Sequence, residues 1–151
     1  ADGELTGLFL TEAIPRGLSG VETARRIKDQ GGLVSIPHPF DVFRRNVISS
    51  QALPEVVKLA DIVEGFNARN TFASANARAK ELAAAAGLPV TAVTDSHTAI
   101  EVGRAYTELE IEEISPRSLL AALASARLTE RPITPLIHLL TTATKLRKRL
   151  F

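Results

Sequence analysis

Apolar segments rich in β-branched residues alternate with helical patterns along most of the chain. Five apolar segments predict strands, at residues 5–10, 33–37, 61–67, 89–95 and 105–111. The segments between and after them predict helices, at residues 19–30, 53–60, 72–86 and 115–126. Strands and helices that alternate in this way form βαβ units around a parallel sheet. We therefore predict an α/β fold, with residues 1–151 forming a single domain.

Capping residues mark the ends of several predicted helices. Ser19 and Glu22 form an S-x-x-E capping box at the start of the first helix. Gly31 follows its end, since glycine tolerates the left-handed backbone found there. Gly87 closes the alanine-rich helix at residues 72–86. A last helix, amphipathic and basic, is predicted at residues 134–151 and contains His138, which we interpret as a packed or surface histidine.

Composition excludes several classes of protein. The chain has 151 residues and 45% hydrophobic residues, which suits one domain with a core. Eighteen basic and 17 acidic residues give a net charge of +1, so we expect neither a nucleic-acid nor a membrane surface. The lack of cysteine excludes thiolate metal sites and disulfides and fits a cytoplasmic protein. The four basic residues in KLRKRLF complement a helix C-terminus, and a nucleic-acid or membrane contact is the alternative.

Polar residues gather where the predicted strands end. His38 follows the second strand, Glu64, Asn67 and Arg69 lie at the end of the third, and Asp95 and His97 end the fourth. Glu64 and Asn67 are expected to flank the histidines and Asp95. In parallel α/β folds, ligands bind beyond the carboxyl ends of the strands. Residues i and i+2 of a strand point to one face, so the Asp-x-His spacing lets both side chains reach one ion or two adjacent ions. Imidazole with carboxylate suits Zn, Mn or Fe.

Each of these residues also has a simpler interpretation. Asp95 could simply cap the following turn. His38 lies between two prolines and could be a stiff loop residue without a binding role. Arg69 could be an ordinary surface charge. Two of the three histidines, however, lie at predicted strand ends. Taken together, these residues therefore support a metal site more strongly than any one of them does alone.

The set of motifs resembles the PHP (polymerase and histidinol phosphatase) superfamily. The matching stretches occur in order, as GLS (17–19), QGGLVSIPHPFD (30–41), DIVEGFNARN (61–70) and VTDSHT (93–98). The resemblance extends to about residue 130. It implies the C-terminal portion of a distorted (β/α)7 barrel, a family fold that binds two or three metals at its C-terminal edge and hydrolyses phosphate esters.

The resemblance also assigns roles to individual residues. It implies metal ligation by His38, Asp95 and His97, and by Glu4 where the family often has a histidine. Asn67 and Arg69 match positions that line the family's pocket, and Arg69 or Arg44 could clamp a substrate phosphate, because a guanidinium matches phosphate geometry. Asp95 and His97 are the candidate catalytic residues.

The chain departs from the family at its beginning. The family's opening His-x-His, and the Asp, His and Glu that follow it, have no match here. Only the C-terminal part of a PHP domain is therefore recognised, and the metal site is expected to be incomplete. The lack of methionine likewise suggests a fragment, a processed chain or a renumbered chain.

We predict that the intact protein is a metal-dependent phosphoesterase and that the chain itself is inactive, with at most one weakly bound metal. The expected substrate is a small phosphate ester or a nucleotide. The alternatives are a catalytically inactive scaffold or regulatory binding domain derived from the family and, more weakly, an unrelated α/β barrel hydrolase. The open edge of the first strand should be covered by another copy of the chain or by residues outside this sequence.

Overall fold

The computed structural model describes residues 2–134 of the chain. Its helices are α1 (Gly20–Asp29), α2 (Leu53–Val57), α3 (Ala73–Ala86) and α4 (Pro116–Leu123). Its strands are β1 (Thr6–Leu8), β2 (Leu33–Ile36), β3 (Ile62–Asn67), β4 (Val90–Val93), β5 (Ala105–Glu108) and β6 (Arg127–Glu130). A 3₁₀ turn at Ala99–Glu101 lies between β4 and β5. The predicted last helix from Thr134, with His138, lies outside the described residues.

The main sheet has four strands in the order β1-β2-β3-β4. Strands β2, β3 and β4 are parallel, and helices connect them, so the α/β prediction is confirmed at this level. Strand β1 runs antiparallel to β2, contrary to the prediction of a wholly parallel sheet. An apolar run specifies that a segment is buried, whereas the direction of pairing is set by contacts distant in sequence.

A second sheet pairs β5 with β6 in antiparallel register. Strand β6 was not predicted, since its four residues lack a distinct apolar run and follow α4 closely. Two threonines join this sheet to β4: the amide of Ala105 donates to the Thr94 hydroxyl at 3.0 Å, and the amide of Ala92 donates to the Thr107 hydroxyl at 2.8 Å. Side-chain hydroxyls therefore take the place of a backbone ladder at this seam.

Helix ends follow the predicted capping pattern in most respects. The Ser19 hydroxyl accepts the amide of Glu22 at 3.1 Å, as a capping box requires. The Glu22 carboxylate, however, pairs with Arg26 at 2.8 Å. Gly31 and Gly87 have φ of 73° and 65°, the left-handed geometry expected at both helix ends.

Apolar residues cover both faces of the main sheet. On one face, α1, α2 and α3 contribute the buried residues Ala24, Ile27, Val56, Ala79 and Ala83, which pack with Val34, Ile36 and Val63. On the other face, Leu123 of α4 packs on Leu33 and Ile62. A largely apolar cavity of about 470 Å³ also lies on this second face, between the sheet, β5 and α4. Glu64 contributes a carboxylate to its lining.

A β-bulge at Gly65 interrupts the pairing of β3 with β4. Glu64 pairs with Thr91 and Phe66 pairs with Ala92, which leaves Gly65 as the extra residue. A Cβ built on Gly65 would lie 2.8 Å from Cβ of Val90. No residue other than glycine fits there unless Val90 moves.

We predict that Gly65→Ala destabilises the chain by about 1–3 kcal/mol, because the added methyl group overpacks against Val90. Urea unfolding of Gly65→Ala, Val90→Gly and the double variant measures this. The double variant should be more stable than the sum of the two single effects implies, since Val90→Gly removes both Cβ and Cγ1, the two carbons that the added methyl group would meet. Strictly additive effects would show that the close approach to Val90 is not what excludes a side chain at this position.

Candidate functional site

The site lies where the three parallel strands end. His38 follows β2, Asn67 ends β3 and Asp95 follows β4. Because the three strands run in the same direction, these residues are brought to one edge of the sheet. The strand-end positions of His38, Asn67 and Asp95 therefore meet in space, together with Glu64.

The bulge at Gly65 brings Glu64 and Asn67 together. Residues three apart in a regular strand point to opposite faces. Gly65, the extra residue of the bulge, turns Glu64 and Asn67 to the same face. Nδ2 of Asn67 can therefore donate to Oε2 of Glu64, at a distance of 3.2 Å. Glu64 was expected to flank the site but was not among the predicted site residues, because strand periodicity alone does not reveal a bulge.

Asn67 connects the ends of β3 and β4. Its Nδ2 donates to Glu64 and also to Oδ2 of Asp95, the latter at 3.1 Å. Its Oδ1 accepts the amide of Arg69 at 2.9 Å, and its own amide donates to Oδ1 of Asn76 in α3 at 3.0 Å. Asn67 is 1% exposed. Its carboxamide therefore holds two carboxylates at a fixed separation inside the protein.

His38 occupies a strained and buried position. Its φ is 30°, a value that non-glycine residues adopt rarely, and such strain is concentrated at functional sites. Its amide donates to Oε2 of Glu64 at 2.9 Å. Within residues 2–134, Nδ1 of its ring is buried and has no hydrogen-bond partner. Burial, followed by the charge of Arg44, lowers the pKa of His38 to about 4, so the imidazole is neutral near pH 7.

The Glu64 carboxylate is largely withdrawn from solvent. Burial raises its pKa, while the hydrogen bonds from Asn67 and from the His38 amide and the charge of Arg44 act in the opposite direction. The charge of Glu4 adds to the increase. A carboxyl group with a raised pKa is suited to exchange a proton.

Asp95 and His97 do not lie on an extended strand. Strand β4 ends at Val93, and Asp95 has a φ of 55°, in the left-handed region. Asp95 and His97 therefore do not share a strand face, contrary to the prediction from their i, i+2 spacing. Nδ1 of His97 instead donates to the main-chain oxygen of Asp95 at 2.9 Å, and it lies 3.9 Å from Oδ1 of Asp95. A turn, not a strand, sets their geometry.

Arg44 supplies the positive charge of the site. Its Nε donates to Oδ2 of Asp41 at 3.1 Å, and its guanidinium forms an ion pair with Oδ2 of Asp95. Asp41 is buried, and one of its oxygens also accepts the amide of Phe43 at 2.9 Å. The loop after β2 thus brings a cation onto the carboxylate that follows β4.

Arg69 was the first choice for a phosphate clamp, but the structure places its guanidinium against the carboxylate of Glu101. Arg69 is 5% exposed and Glu101 is 1% exposed. Burial opposes the charge on Glu101, but hydrogen bonds from Thr98 and Arg69 and the charge of Arg69 outweigh it and lower its pKa. Arg44 is therefore the more exposed of the two arginines.

The Glu101 carboxylate also organises the loop after β4. It accepts the Thr98 hydroxyl at 2.7 Å and the amide of His97 at 3.3 Å. The ion pair with Arg69 thereby ties this loop to the one after β3. Glu101 was not singled out from the sequence, since an isolated Glu in a polar loop gives no sign that it will be buried.

Glu4 lies apart from the group around Asn67. It is exposed and forms a hydrogen bond with Nδ2 of Asn46, at the wall of an open cavity of about 650 Å³. Its charge still acts on Glu64. The structure thus gives Glu4 an electrostatic link to the site but no shared hydrogen bond with Asp95 or His38.

The donor set fits a metal ion only in part. The unpartnered Nδ1 of His38 and the nearby carboxylates are suitable ligand atoms for Zn, Mn or Fe. Within residues 2–134, however, no group of three or more His, Asp or Glu side chains is arranged to hold an ion. The predicted convergence of His38, Asp95 and His97 on one ion is therefore absent from this structure, where Arg44 lies against Asp95.

Comparison with known proteins supports the family recognition. A family model described as PHP-associated matches residues 73–128. An uncharacterized protein of Methanocaldococcus jannaschii is 38% identical over 133 residues, which covers 80% of this chain and 55% of the relative. The chain thus spans about half the length of this curated relative.

Two solved structures are also similar. The crystal structure of PsfC from Pseudomonas syringae matches 99% of this chain and 62% of its own, with 15% identity and a TM-score of 0.60. This likeness concerns the fold. A candidate metal-dependent phosphoesterase of Bifidobacterium adolescentis matches 56% of this chain and 30% of its own, with 27% identity and a TM-score of 0.47.

The chain contains a PHP-associated region at residues 73–128. The recognition made from the motifs is thereby confirmed. None of the helices in residues 2–134 has the length and apolarity that a transmembrane span requires.

We predict that Glu101→Ala destabilises the chain by about 3–5 kcal/mol, because it removes the buried carboxylate that forms an ion pair with Arg69. Urea unfolding measures the loss. The matched control is Glu55→Ala: its partner Lys58 lies 2.6 Å away, but the two side chains are 60% and 67% exposed. That variant should lose less than about 1 kcal/mol. Equal losses would contradict a buried ion pair at Glu101.

Proposed function

We propose that the full protein hydrolyses phosphate esters with the help of a divalent metal, and that this chain provides part of the site. The observation that carries the proposal is the pair of carboxylates, Glu64 and Asp95, that Asn67 holds beside the neutral imidazole of His38. The PHP-associated region supports a role related to phosphoester hydrolysis. The metal, when bound, supplies an activated water and neutralises developing charge.

The residues of this chain then have distinct tasks. Arg44 leaves Asp95 to bind the phosphate, for which a guanidinium has matching geometry. Asn67 keeps Glu64 and Asp95 apart at a fixed distance. Asp95 and His97 remain the candidates for moving a proton between solvent and substrate. The missing metal ligands would come from a part of the full protein that lies outside this sequence.

A catalytically inactive binding domain is the second candidate, and a specific observation favours it. The guanidinium of Arg44 already neutralises Asp95, and residues 2–134 contain no group of three potential metal ligands. A site of this composition could bind a phosphate without cleaving it. The two candidates differ in turnover and not in phosphate binding.

Turnover of a generic phosphate ester with added Mn²⁺ or Zn²⁺ separates the candidates. We expect the 151-residue chain to show negligible turnover and at most one weakly bound metal, because affinity falls steeply when ligands are missing. The full protein should turn over, and Asp95→Asn should abolish its activity. Metal content of each sample is measured in parallel. Strong turnover by the isolated chain that Asp95→Asn abolishes would show that this chain holds a sufficient site.

Variants of the two arginines test the phosphate contact in the full protein. Arg44→Ala should raise KM, or lower kcat if the contact tightens only in the transition state, by about tenfold or more. Arg44→Lys should recover only part of this loss, since lysine keeps the charge but not the planar fork. Arg69→Ala should mainly lower stability. If Arg44→Ala left the kinetics unchanged while a still folded Arg69→Ala raised KM, Arg69 and not Arg44 would be the residue that contacts the phosphate.

A further inference from the structure

Two phenylalanine rings lie exposed beside the site. Phe43 and Phe72 stack with ring centroids 5.8 Å apart and an interplanar angle of 30°. They remain 67% and 52% exposed, so contact with each other covers only part of each ring. Exposed apolar surface that adjoins polar groups is typical of a binding site. We refer to the pair as the Phe43–Phe72 platform.

The turn that builds the platform also builds the charged part of the site. One oxygen of Asp41 accepts the amide of Phe43 at 2.9 Å, and the other accepts Nε of Arg44 at 3.1 Å. This arrangement directs Arg44 to Asp95 and Phe43 to Phe72. Consecutive Cα atoms are about 3.8 Å apart. The platform and the guanidinium therefore extend from neighbouring residues of the same turn.

The side chains around the Phe43–Phe72 platform suit a ligand in which a planar aromatic group is joined to an anion. Arg78 lies over the ring of Phe40, with 4.1 Å from its guanidinium carbon to the ring centroid, and Arg45 is exposed next to Arg44. Stacked aromatic rings bind nucleobases through their faces, and the arginines complement phosphate charge. A short aliphatic phosphate ester would leave the platform unused.

We propose that the Phe43–Phe72 platform binds the base of a nucleotide whose phosphate lies at Arg44. The proposal rests on the proposed function for the phosphate, and it narrows the substrate class from small phosphate esters in general to nucleotides. The base is recognised by stacking and not by hydrogen bonds to its edge, so modest discrimination between bases is expected.

Three probes separate the base contact from the phosphate contact. Adenosine, ribose 5-phosphate and AMP are titrated into the 151-residue chain, and NMR signals of the Phe43 and Phe72 rings and of the Arg44 side chain are followed. Adenosine should shift the ring signals, ribose 5-phosphate should shift Arg44, and AMP should shift both. AMP should bind about tenfold more tightly than ribose 5-phosphate, the gain expected from stacking one base.

Substitutions of Phe43 test whether the aromatic face is responsible. Phe43→Leu should reduce AMP affinity to the level of ribose 5-phosphate, because leucine keeps apolar surface but has no ring to stack. Phe43→Tyr should retain AMP affinity. Ile114→Ala is the control, since Ile114 is a large exposed hydrophobic residue, 84% exposed, in the loop before α4. It should change neither affinity.

Each negative result has a separate meaning. Equal affinity for AMP and ribose 5-phosphate would overturn the base platform and leave the phosphate site intact. Ring shifts with adenosine but no Arg44 shift with ribose 5-phosphate would retain the platform and contradict the phosphate contact of the proposed function. Sedimentation showing self-association that Phe43→Ala abolishes, with no adenosine binding, would identify a second copy of the chain as the occupant.

Discussion

The hydrogen bonds from the Asn67 carboxamide to two carboxylates hold the site together. Glu64 and Asp95 would repel each other if both were charged, and burial penalises charge on Glu64. A neutral donor between them, 3.2 Å from one and 3.1 Å from the other, stabilises the pair without adding charge. Asn67 in turn depends on Asn76 of α3, which accepts its amide. The site is thus attached to a helix as well as to the sheet.

Glu64 and Asn67 can both reach the site only because β3 has a bulge at Gly65. A regular strand would turn Glu64 and Asn67 to opposite faces, and one of them would leave the site. The extra residue of the bulge turns both side chains to the same face. Glycine is needed at position 65 because the side chain of Val90 fills the adjacent space. A backbone irregularity and one close contact therefore decide which side chains meet, which is a common role of bulges beside functional sites.

Arg44 and Arg69 lie in different surroundings, and we assign them different roles for that reason. Arg69 is buried with Glu101 and ties the loop after β3 to the loop after β4. Arg44 is shared between Asp41 and Asp95 in a partly exposed position. A buried pair resists displacement, since separating its ions removes their mutual compensation in a place that water does not reach. The partly exposed pair can exchange one anion for another, which is why we propose Arg44 and not Arg69 for the phosphate contact.

The sequence by itself determined the α/β class, the first helix with its Ser19 cap, the ends at Gly31 and Gly87, and the family, because apolar periodicity, capping and motifs are local properties. It also located His38, Asn67 and Asp95 at strand ends. Only the tertiary structure decided the antiparallel direction of β1, the pairing of β6, the Gly65 bulge and the partner of Arg69. Each of these depends on groups distant in the chain, and the free energy of a buried charge or a strand pair is set by its neighbours in space.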